Sequence, residues 1–162
     1  MDSTKNHLIK YLACSVARST GNVNAYRRIR RFFSTERKAD GVNCHGFTLF
    51  ALGIDPSPRP RYIDPEIMEE FLYEGCFRSQ MGNGTIIAFI EGRSDIAHTS
   101  VYIPTSQSPL LIQKKDIGFK YSIKTLEQVF EDDPVLKHET RIEFYKYMPK
   151  YGKIPRYFTS NA

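Results

Sequence analysis

Through the first half of the chain apolar residues recur at helical spacing, and through the second half they gather in β-branched or aromatic runs. Over 7–19, Leu8, Ile9, Leu12, Ala13 and Val16 share one helix face, and Gly21 supplies a stop before Asn22 opens a second helix. In that helix Ile29, Phe32 and Phe33 are expected to point inward, and 34–42 reads as a polar loop. A short apolar helix over 43–52 starts at Asn43 or Cys44 and is closed by Gly53. Pro56, Pro58 and Pro60 make 54–61 an extended loop, and Ile67, Met68, Phe71 and Leu72 mark a further helix over 64–73, with the helical half ending near Gly75.

Beyond the turn signature Gly82-Asn83-Gly84 the period changes. Residues 85–90, 99–103 and 110–114 read as consecutive antiparallel strands, with a fourth over 119–123. A brief helix over 125–130, capped near Thr125 or Lys124, precedes a last strand over 141–147 that carries Ile142, Phe144 and Tyr145. The tail from Met148 is basic and aromatic and is expected to wrap on the surface. Helices first and strands second is the order of an α+β fold. No repeat or long linker divides the chain, so 1–162 is expected to form a single domain.

Composition narrows the classes. With 41% hydrophobic and 25% charged residues the chain resembles an ordinary globular domain. No window approaches the roughly 20 apolar residues that span a bilayer, and the first ten residues hold Asp2, Lys5, His7 and Lys10 without an apolar export segment. The expected location is therefore cytoplasmic before any non-classical export, with release by a specialised secretion system as the other route. Cys14, Cys44 and Cys76 fit no zinc framework and are expected to be reduced. The net charge of +5 suggests anionic surroundings, and much of it lies in Arg27, Arg28, Arg30, Arg31, Arg37 and Lys38. The simplest reading of the four helical arginines is a solvated face.

A cysteine attacks only as its thiolate, and a helix N-terminus is one of the few settings that favours that form. Cys44 is expected there, whereas Cys14 and Cys76 read as packing residues. The thiolate needs an imidazole partner, from His7, His45, His98 or His138. Adjacent helical residues project about 100° apart, so His45 is not expected to face the same sulfur. His98 opens the run His98-Thr99-Ser100-Val101-Tyr102-Ile103 at a strand start and is the best candidate base.

Asn43-Cys44-His45-Gly46-Phe47, then Gly84-Thr85-Ile86-Ile87-Ala88-Phe89, then His98 to Ile103, resembles the NlpC family of papain-like cell-wall hydrolases over about 42–115. The resemblance implies a papain-like fold, a Cys44 nucleophile, a His98 base and a third polar residue on the following strand that orients the imidazole. If 104–108 forms the turn, Gln113, Lys114 or Lys115 lies opposite His98. Gln113 fits best, because its carbonyl can accept an imidazole N–H, and Asp116 is the substitute if the register slips. The backbone N–H of Cys44 would serve the oxyanion. The chain departs from the family in holding Asn43 where aspartate is usual.

The resemblance further implies an amide substrate, with peptidoglycan peptide stems first, and a chemistry that needs no metal or cofactor. A secreted effector of the same fold that deamidates, cleaves or transacylates a host protein fits a small chain almost as well, with a cognate immunity or host protein as its partner, and an immunity or adaptor protein is a third class. A non-catalytic nucleic-acid binder using Arg27 to Arg31 with Lys146, Lys150, Lys153 and Arg156 is the less favoured alternative. In a purely structural reading, Cys44 is a buried hydrophobe and His98 a satisfied rim residue.

Overall fold

The computed structural model describes residues 2–35, 41–80 and 85–148. The Gly82-Asn83-Gly84 turn, Arg37, Lys38 and the tail residues Lys150, Lys153 and Arg156 lie outside them.

The fold is α+β, with four helices ahead of a six-stranded antiparallel sheet among the described residues. Helix α1 (Ser3–Thr20) is capped by the Asp2 carboxylate, which accepts from the Thr4 N–H, and stops at Gly21 in the left-handed region. Helix α2 (Val23–Thr35) packs along it. Helix α3 (Cys44–Ala51) is buried from end to end, and α4 (Pro65–Gly75) opens on proline.

Six strands follow: β1 (Cys76–Ser79), β2 (Ile86–Glu91), β3 (Asp95–Ile103), β4 (Leu110–Lys114), β5 (Tyr121–Thr125) and β6 (Thr140–Tyr147). Their spatial order is β1-β6-β2-β3-β4-β5. Between β5 and β6 stand α5 (Leu126–Asp132), which opens with a Thr125–Gln128 capping box, and α6 (Pro134–Glu139), capped by Asp133. The last strand of the chain therefore sits inside the sheet, hydrogen-bonded to β1 on one side and β2 on the other.

Alternation along the strands builds two cores. Ile86, Ala88, Ile90, Val101, Ile103, Ile112 and Tyr145 face helices α1 to α4. Ile87, Phe89, Tyr102, Leu111 and Phe144 face Val129 of α5 and Leu136 of α6. At about 25 cal/mol per Å² of apolar surface, the helix-side cluster is the larger source of stability simply because it is the larger.

Three expectations need correction. The arginines of α2 are not all a solvated face: Arg28 stacks on Phe50 and donates to the carbonyls of Phe50, Asp55 and Ser57, so it fastens the loop after α3 to α2. Strand β5 starts two residues later than predicted, leaving Phe119 half exposed. Strand β3 starts at Asp95, so His98 stands inside the strand rather than at its start; its pairing with β2 continues past a bulge, where Phe89 faces His98 and Ile90 faces Ile96.

Candidate active site

The start of α3 is held by a polar clamp. Asn43 accepts the Gly46 N–H at 3.0 Å as N-cap, and the same carbonyl accepts the Ile63 N–H at 3.1 Å while its amide donates to the Ile63 carbonyl at 2.7 Å. Only an amide can do all three, since a carboxylate has no proton to give Ile63. That is the physical content of asparagine standing where the resembled family carries aspartate. The loop beyond comes so close that a Cβ on Gly46 would lie 1.6 Å from the Arg61 carbonyl oxygen, so position 46 admits only glycine with this backbone. Asp55, fully buried, takes Arg61 in a two-pronged ion pair with both N–O distances at 3.0 Å and caps Ser57.

Cys44 is the first residue of α3, as its spacing predicts. Its sulfur meets the middle of β3: the N–H groups of Thr99, His45 and Cys44 itself all favour the thiolate there. Burial outweighs them. With the side chain 6% exposed, desolvation pushes the thiol up to about 11, so at neutral pH it is protonated.

His45 does reach the sulfur, contrary to the expectation from helical spacing. Its Nδ1 lies 3.6 Å from Cys44 Sγ and 3.0 Å from Thr99 Oγ1, and Thr99 Oγ1 in turn lies 3.4 Å from Thr48 Oγ1. The 100° rule separates the two Cα–Cβ directions, but in the first turn no earlier turn walls off the imidazole. The ring swings back toward Sγ, and the Thr99 hydroxyl captures it. Burial, with the nearby charge of His98 adding to it, pushes His45 down to about 4, so the ring is neutral.

His98 lies on the other face of β3, beside Phe89 with ring centroids 5.5 Å apart. Its Nε2 is 2.9 Å from Gln113 Oε1 and 3.1 Å from Ser100 Oγ, and Ser100 donates to the same Oε1 at 3.0 Å. Because Oε1 can only accept, Nε2 carries the proton and Nδ1 keeps the lone pair a base requires. The β3–β4 register pairs Val101 with Ile112, so Gln113 stands next to Ser100 and reaches His98 diagonally. Burial pushes His98 down and the Gln113 bond pushes it back up. Asp116 stays exposed, acting on His98 only through its charge.

His98 and Gln113 line a cleft of about 270 Å³ beneath α5 and α6. Its walls bring five carboxylates against two lysines, Lys115 and Lys124, so its potential is negative although the chain is basic. Cys44 is not part of this wall among the described residues.

The three residues singled out by sequence thus fall into one bonded pair and one neighbour. Gln113 and His98 are joined, while the side-chain hydrogen bond of Cys44 goes to His45 and none joins it to His98 among the described residues. His7 bonds its own helix at the Ser3 carbonyl, and His138 is exposed on α6. Cys76 packs beside the helix-side core, where burial pushes its thiol up to about 12. Among the described residues no group of three potential ligands is placed to hold a metal ion, and no helix is long and apolar enough to cross a membrane. Compared with known proteins, the chain matches no family model, no curated protein and no solved structure.

Proposed function

We propose that the protein is a papain-like thiol hydrolase of the NlpC kind that opens an amide bond. The observation that carries this reading is His98 held through Nε2 by Gln113 with Nδ1 left as the base, next in β3 to Thr99, whose N–H favours the Cys44 thiolate; Cys44 and His98 stand on opposite sides of the strand, so the reaction requires the sulfur to move to His98.

In the proposed reaction His98 Nδ1 takes the thiol proton and Sγ attacks the amide carbonyl, the N–H of Cys44 receiving the oxyanion. The tetrahedral intermediate collapses by breaking the C–N bond, with the imidazolium returning its proton to the leaving amine. An acyl thioester remains. Water, deprotonated by the same imidazole, then releases the acid and restores the thiol. The sulfur must leave His45 before it can meet His98, which makes the thiol bonded to His45 the resting form.

The substrate class we favour is the peptide stem of peptidoglycan, because the carboxylate-rich cleft beside His98 suits the ammonium groups such stems present. Purified peptidoglycan is incubated with wild type, Cys44→Ala and His98→Ala, and released peptides are identified by mass spectrometry. Wild type should release them, and each variant should lose at least about 10³-fold in rate. Release that survives Cys44→Ala would end the thiol mechanism. No release by wild type would end the wall assignment.

A further inference from the structure

Cys44, His45, Thr99 and Thr48 form a chain of polar side chains inside the protein, each buried and each bonded to the next. At its centre His45 Nδ1 has two hydrogen-bearing neighbours, the Cys44 thiol and the Thr99 hydroxyl. A neutral imidazole has only one lone pair at that atom. The contact in which Thr99 donates to Thr48 is long at 3.4 Å, and Thr99 stands closer to His45 Nδ1, at 3.0 Å, where its hydroxyl competes with the thiol for the one lone pair.

We propose that His45 is a positioning residue that latches Cys44 as a thiol, its Nδ1 lone pair accepting the S–H in competition with the Thr99 hydroxyl. An acceptor for the thiol proton stabilises the neutral form and opposes ionisation. The burial that pushes His45 down to about 4 keeps that lone pair free across the physiological range. The proposal rests on Cys44 being the reactive thiol of the proposed hydrolase, but it concerns that thiol alone and needs no substrate.

Other charged groups stand on the elements around α3, and Asp55 takes Arg61. Asp116, after β4, pushes the Cys44 thiol up. His98 of β3 is bonded to Gln113 and Ser100 on the opposite face. Lys114 of β4 turns to the Asp116 carbonyl, and Arg28 of α2 turns to the carbonyls of Phe50, Asp55 and Ser57. Among the described residues the imidazole of His45 is the side chain bonded to the sulfur.

The test reads alkylation of Cys44 by iodoacetamide as a function of pH, followed by mass spectrometry of the Cys44 peptide so that Cys14 and Cys76 do not contribute. His45→Ala should react at least about tenfold faster near neutral pH, because the thiol loses its acceptor. Thr99→Val removes the competing donor while keeping the shape, and should react more slowly than wild type by about threefold or more. If instead Nδ1 carries the proton and donates to a thiolate, both signs reverse, and that result overturns the proposal. So does an unchanged pH profile in Thr99→Val. Should His45→Ala not fold, a long-range nitrogen NMR spectrum of histidine-labelled wild type decides: Nδ1 without a proton supports the latch, and Nδ1 with one ends it. Failure to cleave any amide alongside the expected alkylation changes would remove the hydrolase reading and leave the latch standing.

Discussion

On the helix side of β3, Cys44 and His45 sit 6% and 2% exposed in a network that ends inside the protein, at Thr48. On the other side, His98 and Gln113 are as deeply covered, at 4% each, yet they form the floor of a cleft whose walls carry charge. Both histidines are pushed down by burial. The difference lies in what a proton would meet. Asp116 is within electrostatic reach of both rings, but a proton on His45 would otherwise find hydroxyls and a thiol, whereas one on His98 would find Asp133 and the Gln113 carbonyl as well. One network is built to stay neutral, and the other can exchange protons with what enters the cleft.

The sharpest way to break this contrast is to loosen only the helix side. Asp55→Ala leaves Arg61 without its carboxylate beside the clamp, and should cost about 3 to 5 kcal/mol of stability in urea unfolding. Cys44 alkylation should accelerate in the same variant, while the His98 titration followed by NMR stays put. Equal changes on both sides would mean that the two networks are one unit.

Acid separates the two next. His45 ionises at about 4 in the folded chain, against 6.5 for an unperturbed imidazole, so the unfolded chain takes up the proton first as pH falls. Its contribution is therefore complete above about pH 6.5 and is lost progressively down to about 4, about 3 kcal/mol in all. His98 shares the direction. His45→Gln should remove a measurable part of the acid loss seen in urea midpoints. If it removes none, the cost of acid belongs to the cleft side.

The smallest expected effect sharpens the cleft side alone. Gln113→Leu deprives both His98 and Ser100 of their acceptor and should cost about 1 to 3 kcal/mol. Because the Gln113 bond raises the His98 pKa, the same variant should move the His98 titration to lower pH. A titration that moves up would show that Gln113 does not hold Nε2.

What is legible in the sequence follows the same division between local and distant causes. Helices α1 and α3 can be read from apolar spacing and glycine stops, because those signals act within one or two turns. Gln113 can be found because the β3–β4 hairpin is short enough for its register to be counted. Strand β1 escapes the pattern: Cys-Phe-Arg-Ser alternates weakly, and its partner β6 lies at the far end of the described chain. Helix α6 escapes it too, although Asp133-Pro134 is a start signal. Angular spacing alone excludes His45, yet a histidine set between Cys44 and the apolar run from Phe47 to Leu52 must find a polar partner somewhere. Thr99, 54 residues on, supplies it.

The place of β6 in the sheet also sets a schedule for synthesis. Strand β2 is made early but has its second neighbour only after Thr140–Tyr147 emerge, and β1 has no neighbour at all until then. A nascent chain halted before Tyr147 would expose the edges of β1 and β2 together, the kind of unpaired edges on which aggregation starts. The ribosome must therefore deliver nearly all of the described residues before the sheet can close.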